Sequence, residues 1–294
     1  MPLAHILHPR DHDLGGGFVV RRLLPAAVQR AVGPFLFFDH FGPALETPDA
    51  EHDVRPHPHI GLATVSYLFD GAIHHRDSIG SDQVITPGAV NWMSAGRGIV
   101  HSERRPESLQ HSSYTNHGLQ LWVALPQDEE EGDPFFHHTP ADDITTLAPA
   151  PGVAVRVLVG SAFGVTSPVP AQGEVLYLDV ALDAGARLEL PALAEELGVY
   201  ALDADVRVDG EALAARNMAV LKPGSGALLE ADAPARLVVV GGAKLDAPRF
   251  LWWNFVSSRK ERIAQAARDW AAQSMGQVPG DTEFIPLPDR PLPK

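Results

Sequence analysis

The chain has 294 residues, 45% of them apolar, with 23 basic and 37 acidic side chains and a formal net charge of −14. That length suggests two domains with sizeable cores. The acidic balance argues against a nucleic-acid surface or docking on anionic membranes, and the absence of cysteine excludes disulfides, thiolate metal sites and a cysteine nucleophile.

The N-terminus has no long apolar core and no preceding basic region, so it does not read as a signal peptide. No run is long enough to span a membrane, and a cytoplasmic protein is the expectation. Gly15-Gly16-Gly17 precedes a strand-like run rather than a helix, which makes it a poor phosphate cradle. Short β-branched or aromatic runs follow at Phe35–Phe38, Thr64–Phe69, Gln83–Ile85, Gly118–Leu125, Val153–Val159, Val175–Val180, Ala219–Leu221 and Leu237–Val240. Separated by frequent Gly and Pro, they predict an all-β sandwich or barrel. Asp70-Gly71 reads as a hairpin turn.

Gln127–Gly132, with Glu129, Glu130 and Glu131 in a row, reads as a polar surface loop, and a domain boundary is expected across residues 127–152. Trp252, Trp253, Asn254 and Phe255 form an aromatic patch that suits either core packing or a substrate wall. Ser258 and Glu261 have the spacing of a capping box, which opens a helix expected over Ser258–Ser274. Ile263, Ala266, Ala267, Trp270 and Ala271 make its apolar face, and Gly276 and Pro279 end it. Arg259, Lys260 and Arg262 read as an exposed helix face. The tail Phe284–Pro288 is proline-fixed and apolar enough to pack on another lobe.

Two strings carry the chemistry: His57-Pro58-His59 and His101-Ser102-Glu103. Alternate residues of a strand share a face. Two facing strands of this kind would offer three imidazoles and one carboxylate, a donor set for a divalent transition metal with positions left open. Alone, each string also suits exposed loop histidines or an ion-paired surface strand. Pro58 lacks an N–H, which places the first string at a strand end or edge.

All 14 histidines lie at or before His138, so only the first half can hold a histidine site. His74-His75 and His137-His138 are adjacent pairs whose side chains diverge on a strand. His111 and His117 read as exposed. His40 reads as a packing histidine, with Asp39-His40 a candidate orienting pair. The sequence has no G-x-S-x-G elbow, P-loop or H-E-x-x-H motif.

The run His57-Pro58-His59-Ile60-Gly61-Leu62-Ala63-Thr64, followed by Asp70-Gly71, resembles the first motif of the pirin family, bicupins within the cupin superfamily. Pro87-Gly88 through Gly96-Arg97-Gly98-Ile99-Val100-His101-Ser102-Glu103 resembles the second. Val32–Asp39, Gly118–Pro126 and Trp252–Ser258 extend the likeness over most of the chain.

The resemblance implies two cupin-type β-barrels with exchanged terminal segments and a C-terminal helix. Residues 1–140 would form a metal-binding barrel and 150–245 a barrel without ligands. Residues 246–294 would form a helix and tail that pack back on the barrels. One metal, Fe(2+), would be held by His57, His59, His101 and Glu103. Some pirins carry a Glu shortly after the H-x-H; here Ala63 and Thr64 stand there, which leaves Glu103 as the sole carboxylate the motifs supply. The implied activity is a quercetin 2,3-dioxygenase type of flavonol cleavage, with Glu103 as metal ligand and base. The alternative is a non-enzymatic, metal-dependent regulator that acts through a protein partner.

Overall fold

The structure, a computed structural model, describes residues 3–14, 17–50 and 52–292; Met1, Pro2, Gly15, Gly16, Glu51, Pro293 and Lys294 lie outside them. Strands dominate it. Among the described residues, the α-helical structure is the single segment Lys260–Ala271. All eight runs expected as strands overlap strands, and Val153–Val159 coincides with one.

The chain divides into two compact units. The first comprises Met1–Asp11, Arg21–Asp39 and Thr139–Lys244; the second comprises His12–Val20, His40–His138 and Leu245–Lys294. This division interleaves the termini, unlike the contiguous 1–140, 150–245 and 246–294. Strand pairing gives the reason. Leu3–Leu7 runs antiparallel to Met218–Leu221, with Ile6 opposite Ala219 and Leu7 opposite Met218. At the other end of the chain, Phe255 forms a bridge to Ile60.

In the first unit a seven-stranded sheet runs Leu3–Leu7, Met218–Leu221, Glu196–Ala201, Ala235–Gly242, Val175–Leu182, Val153–Val159, Thr146–Leu147. A four-stranded sheet runs Arg187–Leu190, Ala227–Glu230, Val206–Val208, Glu211–Leu213. Alternate residues such as Val153, Val155 and Val157 enter an aliphatic core with Leu178, Val180, Val199, Leu237 and Val239. Burying each such side chain contributes about 1.5–3 kcal/mol.

A second seven-stranded sheet runs Phe135–Thr139, Val90–Ser94, Leu62–Asp70, Tyr114–Ala124, Phe35–Glu46, Val19–Leu24, Arg10–Asp13. A four-stranded sheet of the second unit runs Val54–His59, Ile99–Arg104, Ile73–Asp77, Asp82–Ile85. Asp70-Gly71 does not close a hairpin. It carries the chain from the seven-stranded sheet, where Leu62–Asp70 already pairs with Tyr114–Ala124 and Val90–Ser94, into the four-stranded one. Gly71 takes the positive φ (85°) that this turn needs.

The helix differs from its expected form at the N-terminus. It starts at Lys260, and Arg259 caps it without a side-chain hydrogen bond. Ser258 is engaged elsewhere: its Oγ donates to Glu130 Oε1 at 2.7 Å, and its N–H donates to the same carboxylate. Glu130 is therefore no surface residue. It is 4% exposed, also accepts from Ser257 Oγ and pairs with Arg249.

The apolar helix face is as expected except at Ala271, which is exposed: Ile263, Ala266, Ala267 and Trp270 pack with Ile60, Val100, Trp252, Phe255 and Val278. Trp252 is thus core. The tail is fastened by three backbone contacts. Ile285 N donates to Pro56 O at 2.8 Å, Trp270 Nε1 to Ile285 O at 3.0 Å and Trp252 Nε1 to Pro291 O at 2.9 Å. Arg259 and Arg262 of the basic helix face meet Glu131, so their charge is locally matched.

Candidate metal centre

The four-stranded sheet of the second unit brings three of the expected ligands together. His101 stands opposite His57 in antiparallel register, and Ile99 opposite His59. Ring centroids lie 4.3 Å apart for His57 and His101, and 5.0 Å apart for each pair that includes His59. One ligand atom of each falls within 4.8 Å of the other two. The rings are 7%, 1% and 1% exposed for His57, His59 and His101.

Each ring has its Nδ1 engaged. His57 Nδ1 donates to Arg55 O at 2.9 Å, and His59 Nδ1 donates to Asn254 O at 3.1 Å. His101 Nδ1 faces His75 Nδ1 at 3.4 Å. With the protons of His57 and His59 on Nδ1, their Nε2 lone pairs are left for the centre. Among the described residues, His101 Nε2 is buried with no hydrogen-bond partner. A buried unpaired nitrogen is costly unless something else satisfies it, and a divalent cation would. The donor set therefore fits a metal ion.

The electrostatics agree. Burial, with the His75 imidazole adding to it against the Arg55 carbonyl, lowers the His57 pKa from 6.5 to about 4. Burial and the neighbouring His57 push His59 well below its ordinary value, against the Asn254 carbonyl. Burial and the other rings do the same for His101. Neutral imidazoles are the form that binds metal.

Glu103 is two residues beyond His101 on the same strand, opposite His75 on one side and Val54 on the other. The register against Val54–His59 shifts by one residue between His101 and Glu103. The tight group of ligand atoms does not include the Glu103 carboxylate. The side chain is partly exposed, yet burial of its carboxyl raises the pKa from 4.5 to about 7.

His75, read from sequence as half of a divergent pair, faces inward. It is 4% exposed, stacks on Phe136 at 4.3 Å and donates from Nε2 to Asp77 Oδ2 at 3.0 Å. Its neighbour His74 turns outward to Asp82. Burial opposes ionisation of Asp77, but hydrogen bonds from His75 and Ser81 outweigh it and hold the carboxyl below its ordinary value. Trp122 packs edge-on against His59 at 5.2 Å. None of His75, Asp77, Trp122 and Asn254 carries a spacing signal; only the strand register exposes the first two.

The remaining histidines stand apart from the three-ring group. His40 and His117 pair Nε2 to Nε2 at 2.8 Å, so His117 is not the exposed loop residue its neighbours suggest. Asp39 binds Arg22 through both carboxylate oxygens. A hollow of about 330 Å³ lies in the first unit beside Phe163, Arg187, Leu188 and Glu189, away from any histidine. Among the described residues, no helix is long and apolar enough to cross a membrane.

Residues 17–123 match the family described as Pirin, and residues 177–276 match the Pirin C-terminal cupin domain. A pirin-like protein of Caulobacter vibrioides is 45% identical over 287 residues, 97% of this chain and 99% of that protein. A crystal structure of quercetin 2,3-dioxygenase from Acinetobacter baumannii superposes with a TM-score of 0.90 at 34% identity, covering 98% of this chain and 96% of that one. A bacterial pirin from Escherichia coli, solved in complex with nickel(II), shares the fold at 16% identity with a TM-score of 0.64, over 82% of this chain and 99% of that one. The all-β architecture with one C-terminal helix is that of two cupin domains. The chain belongs to the pirin family.

Proposed function

We propose that this protein is a single-metal oxygenase of the quercetin 2,3-dioxygenase type that acts on a small flavonol-like aromatic. The observation that carries the reading is the convergence of three buried, neutral imidazoles within 4.8 Å. The 34% identity to the Acinetobacter baumannii enzyme supports the choice of reaction. In this reading His57, His59, His101 and Glu103 hold one Fe(2+). When bound, the metal supplies Lewis-acid stabilisation of negative charge on a hydroxy-ketone.

The protein's own groups do the rest. Backbone carbonyls at Arg55 and Asn254 fix the His57 and His59 tautomers. Glu103, with a pKa near neutrality, takes the substrate hydroxyl proton. Trp122 walls the site beside His59. Residues 150–245 contain no His or Cys, and we propose no transition-metal site among them. We place the protein in the cytoplasm, with no role for nucleic acid or membrane.

One observation favours a second reading, a metal-dependent regulator that acts through protein contacts: the three rings are at most 7% exposed, as in a closed site. Oxygen uptake separates the two. Protein loaded with Fe(II), and separately with Mn, Ni, Co and Cu, is mixed with quercetin. The oxygenase reading expects uptake above the metal-free background and a loss of about 10²-fold or more in Glu103→Gln at equal metal content. No uptake from any loaded form leaves the regulatory reading.

A further inference from the structure

Each of the three imidazoles must keep its proton on Nδ1 if Nε2 is to face the centre, but they are held in different ways. His57 and His59 donate to backbone carbonyls, which accept only. His101 has another histidine as its partner, and an imidazole can donate or accept at either nitrogen. Nothing in the His75–His101 pair itself fixes which ring donates.

The answer comes from Asp77. Its Oδ1 accepts from the backbone N–H groups of Ile79 at 3.0 Å and Ser81 at 2.9 Å. Its Oδ2 accepts from His75 Nε2 at 3.0 Å. An ionised carboxylate only accepts, so the His75 proton must sit on Nε2, which leaves Nδ1 as an acceptor. His101 then donates from Nδ1, and its Nε2 is bare. All three side chains are buried, at 0%, 4% and 1% exposure, and Phe136 stacks nearly parallel to His75, so the ring cannot rotate freely. The register places the partners: His101 is opposite Asp77, and Glu103 opposite His75.

We infer that Asp77 and His75 are positioning residues that set the tautomer of His101 through a carboxylate–imidazole–imidazole chain anchored on the 77–81 turn. This rests on the reading of His57, His59 and His101 as metal ligands. Outer partners of ligating histidines typically change metal affinity by about 10–100-fold when removed.

The informative variant is Asp77→Asn. The amides of Ile79 and Ser81 keep the Asn carbonyl oxygen on their side, and the NH₂ group then points at His75. His75 must carry its proton on Nδ1, His101 can no longer donate there, and a proton moves onto Nε2 in the centre. The first measurement is the His101 tautomer in metal-free, ¹⁵N-histidine-labelled protein by long-range ¹H–¹⁵N NMR. Wild type is expected as Nδ1–H and Asp77→Asn as Nε2–H. The second is nickel(II) and iron(II) affinity by chelator competition, expected to fall by about 10–100-fold in the variant.

His75→Phe, which packs on Phe136 but accepts nothing, should lose a similar amount. His75→Gln, whose side-chain carbonyl can accept from His101, should recover most of it. This pair decides the matter if Asp77→Asn fails to fold. An unchanged His101 tautomer in Asp77→Asn, or wild-type metal affinity in His75→Phe, overturns the inference. Wild-type protein that binds neither metal would defeat the ligand reading instead, and the tautomer measurement would still judge the chain of hydrogen bonds.

Discussion

His57 and His101 face each other across two antiparallel strands in register, with their ring centroids 4.3 Å apart. The ladder fixes the two backbones, so strand register alone places these side chains face to face. His101→Ala should lower divalent-metal affinity by more than the roughly 10–100-fold that removing an outer partner costs. A chelator should lower the melting temperature of metal-loaded wild type, because metal at about 100 times its Kd stabilises the fold by about 2.7 kcal/mol. Elemental analysis and calorimetry check this. A full equivalent of metal in the variant, held as tightly as in wild type, would remove His101 from the ligand set.

Metal-free stability should fall as pH drops below 6.5. The unfolded chain titrates its histidines near 6.5, whereas folded His57 does so at about 4 and His59 and His101 lie well below 6.5. Between those values the unfolded state binds protons that the folded state refuses, so stability rises with pH. Glu103 acts in the opposite sense. Its pKa is raised from 4.5 to about 7, and its contribution is lost as pH rises through that window. At pH 6.5 the unfolded rings are still half protonated, so the three histidines outweigh Glu103 there, and the two effects balance only above about pH 7. Urea unfolding of metal-free protein should show the contribution of these groups rising to about pH 7.5 and levelling off above it. A steady gain in stability on acidification from there to about pH 5 would contradict the assignment.

Asp281 ties the tail to two strands at once. Its Oδ1 accepts from Arg76 at 2.5 Å and its Oδ2 from Arg104 at 3.2 Å. Burial opposes its ionisation, but these arginines hold its carboxyl below the ordinary range. Asp281→Ala should cost about 1.5–3 kcal/mol, the usual range for hydrogen bonds to charged groups. Its contribution is present above the unfolded carboxyl value and lost as pH falls through the folded one. Hydrogen exchange at the Ile285 amide, which donates to Pro56 O, reports the release. Unchanged protection in the variant would show that the tail holds without this carboxylate.

Gly61 links the strand that bears His59 to Leu62–Asp70. It has φ 67°, and a Cβ there would lie 2.1 Å from the Val256 carbonyl oxygen. Gly61→Ala must push the Ile60–Val256 backbone contact apart. A loss of about 3 kcal/mol or more is expected, with weaker metal binding because His59 is two residues away. Thermal unfolding and metal titration test both. A fully stable variant would mean that this crossing can relax.

The three imidazoles are legible in the sequence because strand periodicity alone puts His57 and His59 on one face, and His101 needs only a facing strand. Glu103 obeys the same spacing, yet its carboxylate lies outside the tight group, and a register shift falls between it and His101. His75 is illegible for the opposite reason. Adjacent histidines carry no spacing signal, and its role depends on pairing with a strand 28 residues later in the chain, where Glu103 stands opposite it. Glu130 misleads because a run of three acids reads as solvated, although the middle one is needed under Ser257, Ser258 and Arg249. The same contact removes Ser258 from the capping box. Local patterns identify elements, and long-range partners decide what their polar residues do.

His59 rests on Asn254, 195 residues further along the chain. Ribosomes emit roughly 5–20 residues per second, so the two are synthesised about 10–40 s apart. Once His101 has been added, the nascent chain carries all three imidazoles while His59 still lacks its carbonyl partner. The carbonyl that orients His59 is thus added only after most of the chain has been made, so the full set of ring supports is completed late in synthesis.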